Sequence, residues 1–254
     1  EPRAVVLLLP DLTCDSVEAE SPLADLAHGW ARAGFDTLRF DRRGIGDSEG
    51  SPCGDLDFAT ELADAAAALG LALARARERD VPLVVFGHGA GGIAAASLAV
   101  EHPVRGVIVL GTPSSRWLAS LADTARRHGE LRGDPPEAIE REAGAIASRT
   151  LADGAAGRSA AYHVQLDALD PAALWTKLRA PLLVLRGEHD WIVHPDDQGR
   201  LASLVSGPSS VVDLPGLDHA LGWHEDREAS LRDYGAGRFD ASIVQITAEW
   251  IERR

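Results

Sequence analysis

Residues 81 to 99 read VPLVVFGHGAGGIAAASLA, with glycine at positions 87, 89, 91 and 92 between a β-branched and aromatic run and an alanine-rich segment. That order predicts a buried strand, a tight turn and a helix. Glycine-rich turns between strand and helix serve two chemistries. One aims backbone N–H groups and a helix N-terminus at a phosphate; the other holds a nucleophilic side chain on a strained bend. The rest of the chain decides between them.

Outward from this stretch, apolar runs of strand length lie at 4–9, 37–40, 83–86, 104–110, 182–185 and 210–214. They are continuous rather than alternating, which suggests burial on both faces. Helix-like segments separate most of them, at 23–33, 57–79, 91–101 and 170–177, with 241–254 closing the chain. Alternating strand and helix predict an α/β fold with a mostly parallel, doubly wound sheet. Residues 114–170 break the rhythm. They carry helix-like stretches at 117–127, 136–149 and 155–166 and no good strand, so a helical cap or lid is expected there, inserted into a core of 1–113 and 171–254.

The 254 residues suit one α/β domain with an insertion. A net charge of −14, from 25 Lys+Arg against 39 Asp+Glu, argues against nucleic acid and anionic membranes as partners. No stretch approaches the roughly 20 apolar residues of a membrane span, and Glu1-Pro2-Arg3 leads directly into a strand without a signal-like region. Two cysteines, Cys14 and Cys53, are too few for a disulfide framework and fit a reducing cytoplasm, although their pairing stays open. Cytoplasmic localisation, a small-molecule substrate and no cofactor or metal are the expectations, with a homodimer allowed.

Ligands of open α/β sheets sit beyond the carboxyl ends of the strands. The loops there read Pro10-Asp11-Leu12-Thr13-Cys14, then 41–48 (DRRGIGDS), 87–92 (GHGAGG), 187–190 (GEHD) and 215–219 (PGLDH). Gly87-x-Gly89-x-x-Gly92 matches a dinucleotide fingerprint. That fingerprint opens a first βα unit and needs an acidic residue closing the next strand, where this chain has Gly111-Thr112. The alternative is the nucleophile elbow G-x-S-x-G with its serine replaced: Gly87-His88-Gly89-Ala90-Gly91. An acid, Asp190, and a histidine, His219, follow in the order that elbow requires.

On these motifs the chain resembles the α/β-hydrolase superfamily over nearly its whole length, and more narrowly its acyl-hydrolase and thioesterase-like members. The resemblance implies that 41–48 is the family's D-x-R-G-x-G-x-S turn, that 187–193 (GEHDWIV) is the acid loop and that the insertion is the cap. It also implies that Asp190 orients His219 and that the N–H groups of Ala90 and Leu12 form the oxyanion hole. Two departures follow. Pro10-Asp11 replaces the family's usual His-Gly, so a carboxylate flanks the oxyanion site and opposes it unless it turns away. Gly89, at the nucleophile position, offers no side chain at all.

Three readings remain open: His219–Asp190 acid–base chemistry on a carbonyl- or acyl-bearing small molecule (elimination, cyclisation, decarboxylation or direct hydrolysis), a serine esterase or thioesterase altered at residue 89, or a pseudo-hydrolase that only binds ligand. A retained imidazole–carboxylate pair favours the first, because its burial is costly without use. Asp11, His88, Trp117 and Tyr162 are candidate substrate contacts, His88 being more readily a packed structural histidine and the aromatics lid packing. Cys14 and Cys53 are weak candidates for a substitute nucleophile. Asp218 and Glu188 are expected to be solvated or supporting carboxylates.

Overall fold

The computed structural model describes residues 1–254. Strands β1 (Val5–Leu9), β2 (Asp36–Leu38), β3 (Leu83–His88), β4 (Gly106–Leu110), β5 (Leu182–Gly187) and β6 (Ser209–Leu214) form one sheet in the order β2-β1-β3-β4-β5-β6. Every neighbouring pair is parallel. A separate antiparallel ribbon pairs β7 (Gly222–Trp223) with β8 (Arg238–Phe239). The helices are α1 (Pro22–Arg32), α2 (Phe58–Arg79), α3 (Ala90–Glu101), α4 (Trp117–Arg132), α5 (Pro136–Asp153), α6 (Ala160–Ala168), α7 (Pro171–Lys177), α8 (Pro195–Leu204), α9 (Arg227–Arg232) and α10 (Ser242–Glu252).

In the inner strands β1, β3, β4 and β5 the continuous apolar runs have the expected cause, whereas the edge strands depart from the expectation, β2 being half-buried and β6 alternating exposed with half-buried residues because no further strand or helix covers them fully. In β1, Val5, Leu7 and Leu9 join a core layer beneath α2, α3 and α7, while Val6 and Leu8 join a second layer beneath α1 and α10. Each buried Val or Leu contributes on the order of 1.5–3 kcal/mol. On the second face, Trp30 is wholly buried, edge-on to Phe86, and donates its Nε1–H to Thr247 Oγ1 at 2.7 Å.

Local signals set the helix ends. Ser21 caps α1 with Pro22 in the first turn, and Asp57 caps α2 through the Thr60 N–H. Gly87 and Gly91 admit the close approach of strand and helix, because a Cβ at Gly87 would lie 2.4 Å from the Gly91 carbonyl oxygen.

Helices α4, α5 and α6 lie between β4 and β5. Trp117 Nε1–H donates to His163 Nδ1 at 2.8 Å and joins the two ends of this segment. Helix α6 begins at Ala160 rather than 155, because Ala156 and Gly157 adopt positive φ in a turn bridged by Ala155 and Arg158. Helix α8 was not expected; its turn-like start, Pro195-Asp196-Asp197, is a first helical turn capped by His194.

The strand order creates the site. The chain goes from β1 outward to β2, then returns past β1 to β3, so the crevice at the carboxyl ends of β1 and β3 is the topological switch point. Pairing of Leu9 with Gly87 sets the following loops side by side, Asp11 two residues beyond one partner and Gly89 two beyond the other.

A disulfide joins Cys14 to Cys53. The reading of either cysteine as a free catalytic thiol is therefore corrected, and the argument from two cysteines to a reducing cytoplasm loses its support. No helix is long and apolar enough to cross a membrane.

Candidate active site

Gly89 stands between β3 and α3 at φ 53°, ψ −119°, a backbone conformation that favours glycine. The space a side chain would fill is occupied: a Cβ at residue 89 would lie 2.1 Å from Asp11 Oδ1 and 2.2 Å from Asp11 Cγ. The Ala90 N–H donates to Asp11 Oδ1 at 2.7 Å. Asp11 thus turns toward the elbow rather than away. Its carboxylate takes the nucleophile's place and the donor expected to serve an oxyanion, which corrects the assignment of Ala90 to a free oxyanion hole. Leu12, the other expected donor, is buried in the core layer beside the site.

His219 completes a line of three groups. Its Nε2 faces Asp11 Oδ2 at 3.3 Å and its Nδ1 faces Asp190 Oδ2 at 3.0 Å. Asp190 is held by the N–H groups of Ile192 and Val193 at 2.9 and 2.8 Å and by Gln198 Nε2 at 2.9 Å. Gly111 admits the imidazole, since a Cβ there would lie 2.5 Å from His219 Cε1. His88 Nε2–H donates to the His219 carbonyl at 2.8 Å and steadies the turn from below.

That turn is built by Asp218. Its Oδ1 accepts from the N–H groups of Ala220 and Gly222 at 2.9 and 2.8 Å, while Oδ2 meets His224 Nε2 at 3.0 Å. Asp218 is fully buried, so of its two expected roles it has the supporting and not the solvated one. Glu188 accepts from the Gly216 N–H at 2.9 Å, in the same loop cluster.

The electrostatics follow from this line. Burial alone would depress His219, but the charges of Asp190 and Asp11 and their hydrogen bonds outweigh it and raise its pKa to about 10. Burial works to raise Asp11, yet the His219 hydrogen bond, nearby imidazoles and the Ala90 N–H hold it well below the usual carboxylate range. At neutral pH the site is an imidazolium between two carboxylates. His88 is depressed to about 4 by burial and the neighbouring His219 charge, and is neutral. Asp11, His88 and His219 also bring ligand atoms within 4.8 Å of one another, so a cation that displaced the His219 proton would meet one carboxylate and two imidazoles.

A cavity of about 420 Å³ opens onto Asp11 and His88, lined also by Phe40, Arg42, Ala220 and Tyr234. Tyr234 carried no sequence signal; it follows α9, and its ring meets Trp191 edge-on with centroids 5.5 Å apart. Trp117 and Tyr162 are not in this cavity. Trp117 is 6% exposed, and Tyr162 is wholly buried with its ring edge-on to Phe58 and the Arg158 guanidinium 4.2 Å above it. Both are packing residues, which corrects their assignment as substrate contacts.

Behind Asp11 lies a second unanticipated assembly. Arg42 donates to the carbonyls of Pro10, Asp11 and Thr13 and pairs with Glu61 at 3.0 Å. Glu61 is shared with Arg158, which comes from the insertion. Neither arginine had a sequence signal beyond charge.

The family model described as serine aminopeptidase, S33, matches residues 1–226, and the chain belongs to this family of α/β hydrolases. No curated protein matches it. The DcsB structure in complex with its substrate analogue is similar at a TM-score of 0.66 and 19% identity, covering 99% of this chain and 91% of that one. The α/β hydrolase GrgF from Penicillium sp. sh18 gives 0.64 and 17%, covering 100% and 90%. Est1E from Butyrivibrio proteoclasticus, solved with ferulic acid, gives 0.62 and 17%, covering 99% and 88%. At these identities the likeness establishes the fold.

Proposed function

We propose that this α/β hydrolase acts on a carbonyl- or acyl-bearing small molecule by proton transfer, without a serine nucleophile. The observation that carries this reading is the Asp11 carboxylate seated in the space of the absent side chain at Gly89 and facing His219 Nε2. An altered serine enzyme fits less well, because a serine at residue 89 would collide with Asp11.

The charges assign the roles. His219, protonated between two carboxylates, is the acid, and Asp11 is the base. Asp11 is a weak base while paired with an imidazolium. As His219 passes its proton to a substrate oxygen, that pairing disappears and Asp11 becomes more basic in the same movement. Asp11 then takes a proton from carbon, giving neutral His219 and a protonated carboxyl; return of that proton to Nε2 across the same contact restores the site. Positioned acid–base groups of this kind supply roughly 10²–10⁴-fold. Acyl transfer through an oxyanion is disfavoured, since the Ala90 N–H already serves Asp11. Enolisation, elimination and ring closure suit the site best.

Small carbonyl compounds screened in deuterium oxide test this. Deuterium entering the carbon next to the carbonyl, abolished by Asp11→Asn and by His219→Ala, is the expected result. Turnover that persists in Asp11→Asn would contradict it.

A further inference from the structure

The loop that seats Asp11 ends three residues later at Cys14, whose disulfide to Cys53 lies against the insertion. Arg158 Nη1 is 3.1 Å from Cys53 Sγ and 3.7 Å from Cys14 Sγ. The Arg158 side chain is fully buried, its Nη2 pairs with Glu61, and its Nε–H has no partner. Glu61 is also the carboxylate partner of Arg42, so two buried guanidinium groups share one acid. A buried cation in that position favours any negative charge created beside it.

The two sulfurs are unequally accessible. Cys53 is 2% exposed, whereas Cys14 is partly exposed between the exposed Thr13 and Asp15. An external thiolate therefore reaches Cys14 Sγ, and the sulfur it expels is Cys53 Sγ, already beside a guanidinium. Exchange is faster when the departing sulfur is the more stable thiolate.

We propose that Cys14 is a reversible S-thiolation site for low-molecular-weight thiols, with Cys53 as the leaving sulfur and Arg158 as the residue that stabilises it. The thiol loses its proton to solvent, its sulfur bonds to Cys14 Sγ, the Cys14–Cys53 bond breaks, and the electron pair stays on Cys53 Sγ. A second thiolate attacks the adduct, releases the small-molecule disulfide and leaves Cys14 as a thiolate that takes a proton from solvent. Overall, two thiols reduce one protein disulfide and are oxidised to one small disulfide. Arg42 still holds the carbonyls of Asp11 and Thr13, so the exchange frees the segment that seats Asp11 only at its Cys14 end. This assignment does not depend on the reaction proposed for His219.

Native protein treated with 2-mercaptoethanol, quenched in acid, then unfolded, blocked with N-ethylmaleimide and mapped by mass spectrometry tests it. The expected product carries mercaptoethanol on Cys14 and the maleimide on Cys53, and Arg158→Met slows its formation roughly tenfold or more while Arg158→Lys keeps most of the rate. An adduct on Cys53, exchange only after denaturation, or an undiminished rate in folded Arg158→Met would overturn it. If Arg158→Met does not fold, the ultraviolet thiolate absorbance of Cys53 in the thiolated wild-type chain decides. Absorbance persisting below about pH 7 supports the assignment, and absorbance that falls away around the ordinary thiol value of about 8.5 overturns it.

Discussion

Asp11 and Gly89 occupy one side chain's worth of space between them: the Asp11 carboxylate lies 2.1 Å from where a Cβ of residue 89 would stand. The absent side chain and the added carboxylate are one feature. Register places them together, because Leu9 pairs with Gly87 and each loop then runs two residues further.

Gly89→Ser should therefore fail to create an esterase. The new side chain meets Asp11 and a positive φ, costing at least about 1–3 kcal/mol. Gly89→Ser combined with Asp11→Ala vacates the seat and frees the Ala90 N–H. Hydrolysis of p-nitrophenyl acetate, with a burst, is expected only from the double variant; a burst from Gly89→Ser alone would show that Asp11 does not block the site.

Stability should peak near pH 6.5. His219, raised in the folded state, contributes stability that is complete below about 6.5 and is lost as pH rises toward about 10. His88, depressed to about 4, acts in the opposite direction: its contribution is present above about 6.5 and is lost as pH falls toward 4. Each slope reaches at most about 1.4 kcal/mol per pH unit. Urea unfolding across pH 4–10 measures both limbs. A flat alkaline limb in the wild type would contradict the ion pair, and Asp11→Asn should shorten it, Asp190 still raising the His219 value.

Arg42→Met removes donors from three carbonyls of the Asp11 loop and one partner of Glu61. A loss of about 2–4 kcal/mol is expected from denaturant midpoints, given the usual worth of hydrogen bonds to charged groups and of buried pairs. An effect below about 1 kcal/mol would mean that the loop holds its shape without the clamp.

Gly111→Ala puts a methyl group 2.5 Å from the His219 ring at a position of φ 57°. The imidazole must shift, so the expected outcome is about 1–3 kcal/mol of lost stability and impaired turnover together. Unchanged turnover in a folded variant would show that the ring has room to move.

The four inner strands β1, β3, β4 and β5 were legible because parallel strands buried on both faces leave continuous apolar runs, the edge strands β2 and β6 from shorter runs without such burial, and His219 and Asp190 because loop order survives in sequence. The partnership of Asp11 with Gly89 was not, since it depends on which strand lies beside β1. Sequence could place a carboxylate near the oxyanion site, but not aim it. The Cys14–Cys53 bond and the Arg42–Glu61–Arg158 cluster are likewise contacts between distant loops. Trp117 and Tyr162 were misplaced for a related reason: an aromatic in an insertion lines a cavity or packs a helix according to rotation alone, and the Arg158 guanidinium covers Tyr162.

The charge state of His219 carries the whole account. An NMR titration of the His219 imidazole tests it most directly, following the ring from pH 5 to 11 in the wild type and in Asp11→Asn. An imidazolium is expected throughout neutral pH with a midpoint near 10, and a clearly lower midpoint in Asp11→Asn. A wild-type ring already neutral at pH 7.5 would contradict it.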